Sequence, residues 1–285
     1  MEFGAYAHDE AALAKAAQLV TEPFLKWAGG KRWLAKSDQL PVPASYDRYI
    51  EPFLGGGAIF FHLAPACAIL SDVNAELIHL YTVLRDSPRE LMKMMQHHHG
   101  KHSSGHYYDV RSRVPKCGLE KAARTMYLNR TCWNGLYRVN LKGAFNVPIG
   151  TKSTVVFDNE DFDQISHQLK HAELVCCDFE PTIAQASKGD FVFVDPPYTV
   201  RHNLNGFIKY NETLFRWEDQ IRLRDAVGSA LNRGAAVVVT NADHESVREL
   251  YAELWEYRSV TRASVLASES GRRGKTTEAL FFANL

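Results

Sequence analysis

The tetrapeptide Asp195-Pro196-Pro197-Tyr198 directly follows FVFV, an apolar run typical of a buried strand. Such a strand would place Asp195 at its carboxyl end, the edge at which open α/β sheets bind ligands. Because prolines restrict the backbone, the Asp195 carboxylate and the Pro196 carbonyl can together accept both hydrogens of an exocyclic amino group. Tyr198 adds a flat ring on which an extruded base can stack. The motif therefore predicts group transfer to the amino nitrogen of a nucleobase.

A glycine-rich segment, EPFLGGG at residues 51–57, ends the first predicted strand and opens a helix. Its consecutive glycines let the backbone approach a ligand closely and direct helix N–H groups at it. Asp72 ends the next predicted strand, where a carboxylate can accept hydrogen bonds from a ribose. A nicotinamide fingerprint would need a third glycine at the position of Phe60. The pattern therefore favours S-adenosylmethionine over a nicotinamide dinucleotide as the ligand.

The sequence Gly29-Gly30-Lys31 invites comparison with a phosphate-binding loop. That loop would need glycine at the position of Leu25 and serine or threonine at the position of Arg32. Both requirements fail, so ATP hydrolysis is disfavoured.

The five cysteines are odd in number and contain no CxxC pair, which disfavours a disulfide framework or a zinc knuckle. We therefore predict no metal. No stretch approaches 18 consecutive apolar residues, and the first residues lack the pattern of a signal peptide. These features predict a protein of the reducing cytoplasm with no membrane partner.

Short apolar runs recur along the chain, each closed by a polar residue and mostly followed by a helical pattern. This alternation is typical of an α/β sheet. Seven strands are predicted, at 48–53, 67–72, 173–178, 191–195, 235–241, 257–265 and 278–284. The last two are expected to form an antiparallel hairpin. The fold class predicted is therefore α/β, with a Rossmann-like sheet of seven strands.

The alternation is interrupted at residues 76–164, which carry helical patterns at 76–96 and 118–130 and predicted loops at 100–108 and 134–150. We interpret this stretch as a mostly helical lobe inserted into the sheet domain. The predicted division of the chain is an appended helix at 1–20, a catalytic domain at 21–75 and 165–285, and the lobe at 76–164.

The lobe is also the place where positive charge accumulates. The whole chain has 33 basic and 33 acidic residues, but the segment 105–152 has nine Lys/Arg against two acids, a net charge of +7. Aromatic residues are interleaved with these cations. Basic plus aromatic composition is typical of a nucleic-acid surface.

Some histidines and cysteines have residue types that suit a reactive or metal-binding role. His97, His98 and His99 are adjacent, and we interpret them as a solvated helix end, since no carboxylate or cysteine lies at ligand spacing. Cys132 is predicted to pack in the core rather than to act as a nucleophile. Cys176 and Cys177 are predicted to be buried in an apolar strand.

Six segments together resemble the motifs of one known family: PFLKWAGGK, EPFLGGGAIFFHLAP, LSDVNAELI, NGLYRVNLKGAFNVPIG, GDFVFVDPPY and RGKTTEALFFAN. The chain is similar to the Dam-type, or D12 class, DNA adenine-N6 methyltransferases of the alpha group. Within that family it resembles most the adenine methylases of GATC-specific restriction systems such as DpnII. The similarity runs from about residue 23 to residue 284.

The resemblance implies a role for each matching residue. The implied catalytic residues are Asp195, Pro196, Pro197 and Tyr198. The residues implied to bind the cofactor S-adenosyl-L-methionine, whose product is S-adenosyl-L-homocysteine, are Trp27, Lys31, Phe53, Gly55, Gly57, Asp72, Asp178, Phe179 and Asp195. The implied contacts to the partner, double-stranded DNA, are Lys26, Arg111, Asn134, Leu136, Tyr137, Arg138 and Lys142, with Leu136 as a wedge and Arg138 as a guanine reader. The protein is expected to be a monomer.

Other functions remain open from the residues. Cytosine-N4 methylation uses the same kind of exocyclic amine. Methylation of protein glutamine or of RNA is disfavoured, because the hairpin with its wedge and arginine would then have no purpose. A regulator that binds DNA without catalysis would keep the fold but lose the donor pocket.

Overall fold

A computed structural model of the protein describes residues 22–140, 142–158, 160–200, 215–252, 255–263 and 275–285. The appended helix predicted at residues 1–20 lies outside the described residues.

The centre of the molecule is one seven-stranded sheet. Its strands are β1 (Arg48–Glu51), β2 (Ala68–Asp72), β3 (Ala172–Cys176), β4 (Asp190–Val194), β5 (Ala236–Ala242), β6 (Glu256–Ala263) and β7 (Lys275–Ala283). The order across the sheet is β3-β2-β1-β4-β5-β7-β6. Neighbours among β1 to β5 pair in parallel, and β7 runs antiparallel to both β5 and β6. The predicted α/β class, the seven strands and the final antiparallel hairpin are confirmed.

The described α-helices are α1 (Arg32–Ala35), α2 (Ala58–Leu63), α3 (Ala75–Asp86), α4 (Pro88–Lys101), α5 (Ser104–Ser112), α6 (Gly118–Thr131), α7 (Phe162–Leu169), α8 (Phe179–Ile183), α9 (Trp217–Asn232) and α10 (Glu245–Tyr251). Several begin at a side chain that satisfies a free backbone N–H of the first turn. Asn74 caps α3 and Asp161 caps α7 in this way. Apolar residues from both faces of the sheet pack against these helices and form the core.

Helix α5 was not predicted, because residues 100–108 contain two glycines and two serines and were interpreted as a loop. In the structure Ser103 is the N-cap of α5, and its hydroxyl accepts a hydrogen bond from the His106 N–H. Tyr107 is then buried, and its hydroxyl donates to the Val147 carbonyl over 2.9 Å. The serine marks the start of a helix rather than a break in structure.

Helix α6 is the most deeply buried helix of the segment 76–164, with every residue from Ala122 to Thr131 buried. It packs against α3, α4 and α5. Near its end, Arg130 donates to the Phe24 and Val155 carbonyls and pairs with Glu160. The lobe and the chain entering the sheet therefore share one core, and the domain division stays a prediction.

The prediction of a solvated histidine cluster is wrong for His98. Its ring is buried, stacks on Tyr127 with ring centroids 4.7 Å apart, and lies 3.0 Å from His106 Nε2 through its Nδ1. His97 is exposed, as expected. The helical period turns one histidine of the three inward, because α6 lies against that face of α4.

The burial of His98 makes the stability of the fold depend on pH. Burial, and then the neighbouring His106, lowers the pKa of His98 to about 4. A histidine in the unfolded chain titrates at ~6.5, so below that pH the unfolded state binds a proton that the folded state does not. The stability contributed by neutral, buried His98 is therefore complete above about pH 6.5 and is lost as the pH falls towards 4. Urea denaturation from pH 7 to pH 5 should show a stability loss that is smaller in His98→Gln. In the control His171→Gln, at an exposed histidine outside this cluster, the slope should match wild type, and equal slopes in all three proteins would contradict the assignment.

The prediction for Cys176 is also wrong: it is exposed, and Cys177 is half-buried. Strand β3 lies at the edge of the sheet, and within it only Ala172 is buried. Cys132 is buried as predicted, and burial raises the pKa of its thiol to about 11. Among the described residues, no helix is both long and apolar enough to cross a membrane.

Candidate active site

The site lies at the topological switch point of the sheet, between β1 and β4. These adjacent parallel strands end at the same edge, so the loop after β1 and the tetrapeptide after β4 are neighbours. Such a switch point forms a crevice in open α/β sheets. Asp72 at the end of β2 and Asp178 after β3 face the same edge.

Asp195 follows β4 and is held by two side chains from elsewhere in the fold. Lys31 Nζ lies 2.7 Å from Asp195 Oδ1, and the Thr240 hydroxyl donates to the same oxygen over 2.7 Å. Lys31 is almost fully buried and also donates to the Gly29 carbonyl. Burial raises the pKa of Asp195, while Lys31 and Thr240 oppose that rise by stabilising the carboxylate.

Further contacts fix the turn that follows Asp195. Gln220 donates to the Pro197 carbonyl and accepts a bond from Asn241, both side chains being buried. The Tyr198 hydroxyl donates to Glu278 Oε2 over 2.7 Å. None of Gln220, Thr240, Asn241 and Glu278 was predicted as a site residue. For Thr240, Asn241 and Glu278 the signal available was a polar residue inside an apolar strand, as in AVVVTN and EALFFAN, whereas Gln220 lies on helix α9.

The glycine loop is closed on Asp72. Its two carboxylate oxygens accept hydrogen bonds from the Gly55 and Asn74 N–H groups, at 3.0 and 2.9 Å. Gly55 has φ +47° and Gly57 φ +64°, a region that suits glycine. Burial raises the pKa of Asp72, and the two N–H groups oppose the rise. Asp72 thus holds the shape of the loop through backbone N–H groups.

Aromatic side chains line the crevice beyond the loop. Phe53 stacks on Phe179 with centroids 5.4 Å apart, and Phe215 packs against both rings. Asp178 caps α8 and lies 3.0 Å from Arg222, whose guanidinium is over the Phe179 ring. Phe179 and Phe215 are buried, so the half-buried Phe53 is the ring of the three that is accessible beside the carboxylate.

The segment from Cys132 to Gly150, which was predicted to contact DNA, forms an irregular hairpin that we call the recognition hairpin. Isolated bridges join Cys132 to Ile149 and Val139 to Phe145. The tip of the first turn carries Asn134 in the left-handed region, at φ +55°. The hairpin thus presents a short irregular loop at the surface.

The recognition hairpin is tied to the glycine loop through Lys26 and Trp27. Asn129, near the end of α6, accepts a bond from the Lys26 N–H and donates to the carbonyls of Lys26 and of Gly135 in the hairpin. Trp27 stacks on Tyr137 at 5.6 Å, and its ring lies against Gly55. Residues of the hairpin and of the glycine loop are therefore held in one unit.

The sequence profile of the D12 class N6 adenine-specific DNA methyltransferases matches residues 27–265. The chain belongs to this family. The predicted resemblance is confirmed, and the sheet order and α/β class fit the Rossmann-like methyltransferase fold.

Relatives of this D12 class methyltransferase carry matching names. The Type II methyltransferase M1.LlaDCHI of Lactococcus lactis subsp. cremoris is 38% identical over 265 residues, which is 90% of this chain and 93% of the relative. The Type II methyltransferase M.MjaIII of Methanocaldococcus jannaschii is 34% identical, over 78% of this chain and 84% of its own. A DNA adenine methylase of Vibrio cholerae is 30% identical, over 90% and 94%. This D12 class member is therefore an adenine-specific DNA methyltransferase.

The structure places the implied DNA contacts of this methyltransferase in different settings. Lys142 and Asn134 are exposed, and Arg138 is half-buried with its Nε donating to Asn146 Oδ1 over 2.7 Å. Leu136 is partly buried and packs against the core. Arg111 donates to the Val147 carbonyl and lies over the Tyr108 ring, so it already supports the recognition hairpin.

Part of the lobe's positive charge lies inside the methyltransferase. Arg124 and Arg130 are buried, where Arg124 donates to the Val110 and Arg111 carbonyls. Tyr107 and Tyr127, counted with the aromatic surface, are also buried. The net charge of +7 therefore overstates the basic surface, because sequence composition does not distinguish solvated from internal arginines. Among the described residues, no group of three or more His, Cys, Asp or Glu is arranged to hold a metal ion.

If the glycine loop holds the methyl donor, as the resemblance implies, substitution of Gly55 should weaken donor binding. A Cβ built there would lie 2.7 Å from Trp27 Cδ1, in a left-handed conformation that alanine rarely adopts. We expect Gly55→Ala to lose about 1–3 kcal/mol of stability and at least ~10-fold in affinity for S-adenosylhomocysteine, measured by isothermal titration. The control Gly100→Ala, on an exposed helical site with open space around it, should bind as wild type. Wild-type affinity in Gly55→Ala would contradict this role of the loop.

Proposed function

We propose that the protein transfers the methyl group of S-adenosyl-L-methionine to N6 of adenine in duplex DNA, within the sequence GATC. The observation that carries the proposal is Asp195 at the carboxyl end of β4, held by Lys31 and Thr240 through one oxygen. That arrangement assigns Oδ2 to one hydrogen of the adenine amino group and the Pro196 carbonyl to the other. We further place the enzyme in the cytoplasm, as a monomer.

The described residues fit the donor. Gly55 and Gly57 let the loop take its shape, because a Cβ at either position would meet a neighbouring aromatic side chain. The half-buried Phe53 ring gives an apolar surface for the donor's adenine, with Phe179 packed behind it and Asp178 close to Phe179. When bound, S-adenosyl-L-methionine supplies an electrophilic methyl group on a cationic sulfur and leaves as S-adenosyl-L-homocysteine.

The remaining implied donor contacts have clear tasks. Asp72 shapes the glycine loop and has lone pairs left for the donor. Trp27 supports the same loop from the other side. Lys31 fixes the Asp195 carboxylate and favours its ionised form, which is the form that accepts hydrogens from the amine.

The chemistry at the adenine follows from these positions. The adenine amino nitrogen is conjugated with its ring and is a poor nucleophile. Asp195 and the Pro196 carbonyl accept its hydrogens and favour localisation of the lone pair on nitrogen, while Tyr198 stacks on the extruded base. The nitrogen then forms the new N–C bond as the S–C bond breaks, the sulfur keeps the electron pair of the broken bond, and one amino proton passes to the Asp195 carboxylate and from there to solvent.

The recognition hairpin is proposed to enter the DNA. Asn134, Leu136 and Tyr137 would fill the space of the extruded base, with Leu136 as the wedge. Arg138 would read guanine, Lys26 would also reach the DNA, and Lys142 and Arg111 would contact phosphates.

A methyl-transfer assay tests the proposed function. Labelled donor is incubated with matched duplexes that contain GATC or a scrambled site of the same composition, and the product nucleosides are separated. We expect N6-methyladenine, formed mainly on GATC. N4-methylcytosine would support the cytosine alternative, and DNA binding without any heat from S-adenosylhomocysteine would support the non-catalytic regulator. Equal labelling of both duplexes would refute GATC specificity alone.

Arg138 and Lys142 should differ in how they affect binding. Arg138→Ala should cost about 1–3 kcal/mol on the cognate site and little on other sequences, because a bidentate base contact is lost. Lys142→Ala should weaken binding to all sequences alike and lower the salt dependence. Fluorescence anisotropy at several salt concentrations measures both. An equal loss on cognate and scrambled DNA for Arg138→Ala would refute its assignment as reader.

A further inference from the structure

Glu278 is a buried carboxylate at the site that belongs to neither catalytic nor donor motif. Its Oε2 accepts the Tyr198 hydroxyl hydrogen over 2.7 Å and lies 3.5 Å from Lys31 Nζ. Its side chain is only 3% exposed. Because Lys31 also binds Asp195, the chain of contacts runs from Asp195 through Lys31 and Glu278 back to Tyr198.

The sheet topology explains how Glu278 reaches the site. Strand β7 pairs antiparallel with β5, with Glu278 opposite Ala242 at the carboxyl end of β5. The first residues of β7 therefore lie at the edge where β1, β4 and β5 end. A parallel strand in the same place would have brought its last residues there instead.

We propose that Glu278 is a positioning residue for methyl transfer, which fixes the Tyr198 ring through its hydroxyl and shares the Lys31 ammonium with Asp195. This inference rests on the proposed function. Lys31 Nζ also lies 4.9 Å from the centroid of the Tyr198 ring. The ring on which the base stacks is thereby held at its hydroxyl by Glu278 and at its face by Lys31.

The same carboxylate has an electrostatic effect on Asp195. The titratable groups facing Asp195 are Lys31, Glu278, Tyr198 and, from β1, Glu51 and Tyr49. Burial holds the pKa values of Glu51, Tyr49 and Tyr198 well above their ordinary values, which favours the neutral form of each. The charge of Glu278 raises the pKa of Asp195, whereas Lys31 lowers it. Glu278 therefore positions Tyr198, but its charge also makes Asp195 harder to ionise.

The variant Glu278→Gln separates these two effects, because glutamine keeps the size and a hydrogen-bond acceptor of glutamate but removes its charge. Single-turnover methylation of duplex DNA with saturating donor should slow by about 10-fold on the pH plateau, as the bond to Tyr198 weakens. The acid limb of the pH–rate profile should move to lower pH by about 1 unit, because Asp195 loses a like charge and keeps Lys31 to itself. A general structural defect would slow the reaction without this shift.

Tyr198→Phe and the double variant complete the test. Tyr198→Phe keeps the ring and removes only the hydroxyl, so it should slow the plateau rate about as much as Glu278→Gln. In the double variant, Glu278→Gln should add little further slowing but still move the acid limb. The proposal would be overturned if the rate losses of the two single variants multiplied in the double variant. It would also be overturned if Glu278→Gln left the acid limb where it is in the wild type.

Two outcomes distinguish failure of this proposal from misfolding of the variant and from failure of the proposed function. A wild-type rate in Tyr198→Phe would overturn the positioning role even if Glu278→Gln failed to fold. If the wild-type protein forms no N6-methyladenine, the proposed function fails first; if it does so and the variants match it, only the role of Glu278 fails.

Discussion

Asp195→Asn is expected to slow methyl transfer by about 10² to 10⁴-fold under single-turnover conditions, the range for loss of a positioned proton acceptor. Asparagine has the same shape but carries no negative charge to attract the amino hydrogens. The Asp195→Asn variant should keep its fold, because Lys31 still has Glu278 and the Gly29 carbonyl as partners. Circular dichroism and methyl transfer at saturating donor measure the two effects separately.

Asp190→Asn is a matched control on the same strand. Asp190 is a buried carboxylate at the opposite end of β4, where it pairs with Arg48 over 2.7 Å and accepts the Ser187 N–H. Its substitution should lower stability by about 1–3 kcal/mol and leave the rate of the folded enzyme within ~2-fold of wild type. If the two variants lost activity alike, the loss would reflect stability, and the catalytic role of Asp195 would be refuted.

Arg130→Ala is expected to have the largest effect on stability, a loss of about 3–5 kcal/mol in urea denaturation. The Arg130 side chain is 2% exposed and that of Glu160 7% exposed. Removal of the arginine leaves a buried carboxylate without its counterion and leaves the Phe24 and Val155 carbonyls without their donor.

Two further variants separate burial from charge. The exposed pair of Arg113 with Asp109 should contribute little, so Arg113→Ala should change stability by less than about 0.5 kcal/mol. Replacing both members of the buried pair, Arg130→Met with Glu160→Leu, should recover most of the loss, because no charge then stays buried alone. A loss below ~1 kcal/mol for Arg130→Ala would show that the pair is not buried as described.

The sequence determined the frame of the site because its signals are local. Runs such as FVFV and AVVVTN have the composition of buried strands, and all seven predicted strands are present. The motif after β4 and the glycine loop after β1 were placed at strand ends by the same patterns. In a parallel sheet those ends share one edge, so the neighbourhood of Asp195 and Gly55 followed once the strands were known.

The tertiary structure decided which other side chains reach that edge and which charges are solvated. Glu278 and Thr240 meet the motif because β7 inserts antiparallel beside β5, a pairing that no local pattern specifies. His98 and Arg130 are buried because α6 packs on α4 and against the entering chain. Strand order and helix packing depend on contacts between residues far apart in the chain, whereas residue type and spacing report only what a segment does by itself.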